Sequence, residues 1–270
     1  MTDKEKVVDY IEKNRDELIK IASGLISIPS VSGREDSNEQ YEKEADYLIS
    51  EFAKFGVAAQ KYANAPGGFN VVAEYNCDKN GKTIAMGGHY DVVSAEESTW
   101  ETEGGFVPTV KDGKLIGRGS ADMKGGLASC FMALKALKEC GIKLNGGIQF
   151  VATVDEEIGS PYGMDFLVNS GKIKPDFFIN AEQTEMKIII AYKGCAWMEV
   201  KVKGVTAHGS KPELGVNAVV NAAKIIAKID EKGVDFVHDD LLGDGSLSVG
   251  VINGGTAINV VPDECVFRID

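Results

Sequence analysis

The sequence predicts an α/β protein followed by a smaller α+β domain, and two features carry that reading. Short apolar runs that suit strands, at Thr83–Met86, Ile148–Val154 and Phe177–Ala181, alternate with a helical pattern over Gly125–Cys140, the order that builds an at least partly parallel sheet. From about Ile188 the texture changes. Met198, Val200 and Val202 alternate there with Glu199, Lys201 and Lys203, as in a sheet with one wet face. The change sets the expected division into a first domain over residues 1–185 and a second over residues 186–270.

Taken in order, Val7, Val8, Ile11, Leu18, Ile19, Ala22, Leu25 and Ile26 recur at helical spacing. So do Tyr41, Ala45, Leu48, Ile49 and Phe52, and two amphipathic helices are expected before residue 56. Ile28-Pro29-Ser30-Val31-Ser32-Gly33 between them is a loop. In the second domain a helix over Asn217–Ile229 presents Val219, Ala222, Ala223 and Ile226 on one face, and strands follow at Ser246–Ile252 and near Glu264–Ile269. This β-α-β-β order opens a ferredoxin-like domain, whose closing helix and strand would lie beyond Asp270.

Composition narrows the function classes. The 270 residues are 44% hydrophobic and 26% charged, enough for one large core or two smaller ones. A net charge of −12 opposes nucleic-acid backbones and anionic membranes, and no basic stripe interleaved with aromatics overrides it. No apolar run approaches the ~20 residues that cross a bilayer. The five cysteines, Cys77, Cys130, Cys140, Cys195 and Cys265, are odd in number and lack C-x-x-C spacing, which argues against a disulfide framework or a thiolate zinc site and fits a reducing cytoplasm. Small molecules or short peptides are the expected ligands.

Four stretches hold residues suited to metal chemistry. In Met86-Gly87-Gly88-His89-Tyr90-Asp91 a predicted strand ends on a histidine followed two residues later by an aspartate. Taken alone this suits a structural pair; as a metal pair, His89 binds the ion while Asp91 holds its other ring nitrogen and fixes the tautomer. The glycine-dense run Gly117-Arg118-Gly119-Ser120-Ala121-Asp122-Met123-Lys124-Gly125-Gly126 matches neither phosphate-cradling pattern, so Asp122 reads as a ligand. Val154-Asp155-Glu156-Glu157 ends a buried strand on three acids, which makes either a solvated acidic loop or a set of groups offset by a cation. Phe177-Phe178-Ile179-Asn180-Ala181-Glu182 repeats the design with one acid. Together these junctions would bring His89, Asp122, Glu156, Glu157 and Glu182 to one end of one sheet. Nitrogen and carboxylate donors without thiolates suit Zn²⁺, Co²⁺ or Mn²⁺.

In order and spacing, G-H-Y-D-V-V, G-R-G-S-A-D-M-K-G-G, D-E-E-I-G and A-E-Q-T resemble the metallopeptidase family that contains acetylornithine deacetylases, succinyl-diaminopimelate desuccinylases, aminoacylases and glutamate carboxypeptidases. The likeness runs from about residue 20 to residue 270. It implies a zinc-peptidase-like mixed sheet flanked by helices, with an inserted ferredoxin-like lid or dimerisation domain, both incomplete at the C-terminal end. It also implies two zinc ions per complete active site. His89 and Glu182 would hold one ion and Glu157 the other, with Asp122 bridging them through a cis Asp122–Met123 peptide and Glu156 acting as general base.

Two further matches lie in the second domain, Thr206-Ala207-His208-Gly209-Ser210 and Gly254-Gly255-Thr256-Ala257-Ile258-Asn259-Val260-Val261-Pro262-Asp263. The resemblance implies a homodimer through this domain, His208 stabilising the oxyanion of the partner's site, and substrate contacts from Asn259 and Lys193. The alternatives are an ordinary loop histidine at 208 and a solvated strand-end lysine at 193. His238 matches nothing and reads as solvated. Relatives continue past N-V-V-P-D to a further histidine for the second zinc, so the chain is expected to be a fragment with that ion absent or loosely held. The leading expectation is hydrolysis of an N-acyl amino acid, because Asp122-Met123-Lys124-Gly125-Gly126 resembles the deacylase branch. The alternatives are a dipeptidase or aminotripeptidase, or a binding homologue without activity.

Overall fold

The computed structural model describes residues 1–64, 68–76, 81–95, 100–160 and 162–270; Cys77 lies outside them. They form two compact units, Met1–Met186 and Lys187–Asp270.

The first unit opens with three helices where the periodicity predicts two: α1 (Asp3–Lys13), α2 (Arg15–Ile26) and α3 (Ser37–Ala53). The break falls at Asn14, whose backbone leaves the helical region (φ −115°, ψ 30°) while its side-chain amide donates to the Tyr10 carbonyl at 2.7 Å. Asparagine offers the backbone an alternative partner, which apolar spacing does not register.

The strands and helices that follow are β1 (Ala59–Asn64), β2 (Gly68–Tyr75), β3 (Lys82–His89), the small hairpin β4 (Thr109–Lys111) and β5 (Lys114–Ile116), α4 (Lys124–Glu139), β6 (Gly146–Thr153), α5 (Met164–Asn169) and β7 (Phe177–Asn180). Five strands form a mixed sheet in the order β1-β2-β6-β3-β7. β3 runs parallel to both β6 and β7, while β1 and β2 are antiparallel additions that the sequence reading missed. Gln60, Lys61, Asn70 and Glu74 break the apolar pattern of those two strands.

Successive side chains on a strand point to opposite faces, and both faces of this sheet are covered. Val71, Ala73, Met86, Phe150 and Ala152 join the core that Leu25, Tyr41, Leu48, Phe52 and Phe131 supply from α2, α3 and α4. Val72, Ala85 and Val151 face the other way, onto Leu167 and Ile173. Covering both faces is why these strands read as unbroken apolar runs. Phe52 is central, its ring centroid 4.6 Å from that of Phe131 and 4.9 Å from that of Phe150.

Register places the site. His89 lies beside Thr153, and Gly87 beside both Val151 and Asn180, so β3, β6 and β7 release their loops at one end of the sheet. Ligands gather at such carboxyl ends.

The second unit contains β8 (Met198–Lys203), β9 (Ala207–His208), α6 (Ala218–Lys232), β10 (Val249–Gly254), β11 (Val260–Val261) and β12 (Glu264–Ile269). Its main sheet is antiparallel in the order β10-β12-β8, with the last strand between the first two, as the β-α-β-β order predicts. Ala218 and Ala222 of α6 pack with Cys265, Phe267 and Ile269. The Asn217 side chain caps α6 by accepting the Val220 N–H at 3.0 Å.

Candidate metal centre

His89, the last residue of β3, is 2% exposed. Its Nδ1 lies 2.9 Å from the backbone carbonyl of Asp91 and 3.5 Å from the Asp91 carboxylate, so Asp91 faces that nitrogen with both groups. A carbonyl only accepts, so Nδ1 carries the proton and the Nε2 lone pair is left for a ligand. Around Nε2 stand Asp122 Oδ1 at 3.1 Å, Glu182 Oε1 at 3.3 Å and Glu156 Oε2 at 3.7 Å.

That crowding calls for positive charge. Burial acts against a charged imidazole, yet the Asp91 and Glu182 carboxylates outweigh it and push His89 up to about 11. A divalent cation would supply the same charge. The facing atoms of His89, Asp122 and Glu182 all lie within 4.8 Å of one another. Tetrahedral ligands about 2.0–2.1 Å from an ion stand roughly 3.3 Å apart, close to the separations from Nε2, so the donor set fits.

Asp122 arrives from the loop before α4 rather than from a strand end, and its peptide bond to Met123 is cis. Gln183 Nε2 donates to Asp122 Oδ2 at 3.1 Å. Two residues on, Lys124 is wholly buried; its ammonium donates to the Leu25 and Ile28 carbonyls at 2.7 and 2.8 Å and meets Glu44 Oε2 at 3.0 Å. Burial pushes Glu44 up to about 7 and Lys124 down, and each opposes the shift of the other. Sequence reading passed over this pair, although an acid at 44 on the apolar face of Tyr41, Ala45 and Leu48 was a visible signal.

After β6, Asp155 turns the chain in the left-handed region (φ 60°). The Asp91 carboxylate then accepts two successive amides, Glu156 N–H on Oδ1 and Glu157 N–H on Oδ2, each at 3.2 Å. Burial raises both glutamates, with His89 opposing the rise at Glu156 and Asp122 adding to it at Glu157. Glu157 is not one of the three clustered donors, but Asp122 is the charge that acts on it most.

In the second unit His208 ends β9 opposite Val260, and Gly209 N–H donates to the Asn259 carbonyl at 2.7 Å, so residues 208 and 259 are neighbours. His208 Nδ1 accepts the Ser210 N–H at 3.2 Å, which leaves the proton on Nε2 and makes the exposed ring a donor. The Lys193 ammonium is engaged by the Asp244 carbonyl, and the exposed His238 pairs with the Asp244 carboxylate at 2.7 Å.

A sequence profile described as Peptidase family M20/M25/M40 matches residues 85–248, the stretch that carries all these side chains except those of Glu44 and Asn259. The chain belongs to peptidase family M20/M25/M40. This M20/M25/M40 chain is 32% identical over 260 residues to acetylornithine deacetylase of Buchnera aphidicola subsp. Schizaphis graminum (strain Sg). The match covers 93% of the chain and 66% of that relative, so the chain spans just under two thirds of its length. Human carnosine dipeptidase 1 has a TM-score of 0.71 at 19% identity, and the dipeptidase Dug1p from Saccharomyces cerevisiae 0.74 at 18%; each comparison covers 98% of this chain and 71% of the other. At these identities the likeness is one of fold.

Proposed function

We propose that this M20/M25/M40 chain carries the metal-binding part of an amidohydrolase that cleaves N-acyl amino acids, with zinc as the resident ion. The observation that carries the reading is the cluster of His89, Asp122 and Glu182, with the Glu156 carboxylate 3.7 Å from His89 Nε2. In the two-ion form, His89, Asp122, Glu157 and Glu182 are the residues that would hold the zinc. When bound, the ions sharpen a water nucleophile and polarise the amide carbonyl.

The rest falls to the protein. Glu156, its carboxyl already raised by burial, takes the proton from the attacking water and returns it to the leaving amine. Asp91 positions it through the backbone amide. His208, protonated at Nε2, donates to the oxyanion from the partner subunit of a homodimer formed through the second unit, and Asn259 and Lys193 hold the substrate. The deacylase side is favoured by the acetylornithine deacetylase match and by Asp122-Met123-Lys124-Gly125-Gly126. The odd number and scattered spacing of the cysteines support work in a reducing cytoplasm.

The test is metal analysis after Zn²⁺ loading, joined to hydrolysis of N-acetyl- and N-succinyl-amino acids and of unblocked dipeptides in excess Zn²⁺ or Co²⁺. Glu156→Gln is expected to keep the metal and lose turnover by ~10²-fold or more. Faster cleavage of dipeptides would replace the deacylase reading with the dipeptidase one. No metal uptake would favour a binding homologue.

A further inference from the structure

Asp155 is the one acid of the 155–157 run that serves neither as ligand nor as base above, and it is 5% exposed. The Tyr41 hydroxyl, brought in by α3, lies 3.1 Å from Asp155 Oδ1 and 3.2 Å from Ser32 Oγ. Ser32, in the loop between α2 and α3, donates in turn to Asp91 Oδ2 through a short hydrogen bond. Asp91 carries the Glu156 and Glu157 amides on its carboxylate and His89 Nδ1 on its carbonyl. Four chain segments therefore meet in one largely buried network that ends on the Glu156 and Glu157 amides and on the His89 ring.

We infer that Tyr41 and Ser32 are positioning residues of the metal centre, acting through Asp91 and Asp155 to fix the turn that bears Glu156 and Glu157. The Tyr41 ring is held independently of its oxygen: it is 2% exposed in the main core and meets the Tyr90 ring edge-on at 5.9 Å. The packing of the ring places α3, and the oxygen is free to serve the site. Hydrogen-bond partners one layer behind metal ligands typically set affinity by about 10–100-fold, because they hold the ligands in the geometry the ion requires.

The inference rests on the metal-centre reading above, and its test separates the two. Zn²⁺ affinity of the 270-residue chain is measured by competition with a chromophoric chelator in wild type, Tyr41→Phe, Ser32→Ala and the double variant, alongside the visible absorption of the Co²⁺-loaded proteins. Each single variant is expected to bind Zn²⁺ about tenfold more weakly and to shift the Co²⁺ bands, while circular dichroism of the metal-free protein stays that of wild type. The double variant should lose less than the product of the two single losses, since Tyr41 reaches the turn both directly through Asp155 and through Ser32 to Asp91. Wild-type affinity and bands in the singles would overturn the positioning role, as would lowered unfolding midpoints with unchanged affinity, which mark a merely structural one. Losses that multiply in full in the double variant would overturn the shared route through Asp91. Failure of the wild-type protein to bind Zn²⁺ would bring down the metal-centre reading and this inference with it.

Discussion

The two histidines of interest sit in opposite surroundings. His89 is buried, its carbonyl partner sets the tautomer, and carboxylates from three other segments close on its free nitrogen. His208 is exposed, and its tautomer is set by Ser210 two residues along the chain. A metal ligand needs several distant segments fixed together, and that requires a packed interior. A hydrogen-bond donor that meets a substrate needs only its tautomer fixed locally, and burial would keep it from its target.

That contrast can be broken by mutation. Lys124→Met removes the ammonium that serves the buried Glu44 carboxyl and the Leu25 and Ile28 carbonyls, and is expected to destabilise the first unit by about 3–5 kcal/mol in urea unfolding. Adding Glu44→Gln should recover part of the loss; a loss under about 1 kcal/mol in the single variant would mean that the site does not depend on its buried scaffold. His208→Ala is expected to lower kcat ~10²-fold, about 2.7 kcal/mol, with Zn²⁺ affinity and unfolding midpoint unchanged. A drop in Zn²⁺ affinity there would make the two histidines parts of one scaffold. The smallest effect is that of Asn217→Ala, which removes the α6 cap and should cost about 1 kcal/mol, read as amide exchange confined to the second unit.

Much of this was legible because periodicity and motif agree where chemistry is dense. The strands β3, β6, β7, β8 and β12 fall where apolar runs or alternation mark them, and His89 and Glu182 meet at the strand ends with Asp122 from the loop before α4. What stayed hidden has common physical causes. The break at Asn14 and the β1–β2 hairpin are decided by polar residues, which apolar spacing ignores. Glu44, Ser32 and Tyr41 act through partners 80, 59 and 114 positions away in the chain, and no local pattern encodes a contact of that span.

The level register of β3, β6 and β7 also bears on how such a chain can vary in length. One residue advances a strand by about 3.3 Å and turns every later side chain to the other face. Coordination tolerates displacements of only about 0.2 Å. A single insertion within Lys82–His89 would thus turn His89 out of the donor set, and one within Gly146–Thr153 would displace Glu156 and Glu157, whereas the β4–β5 hairpin has its tip at exposed Asp112 and Gly113, outside both strands. Descendants of this sequence are free to change size at that tip and are held to a fixed count of residues along those two strands.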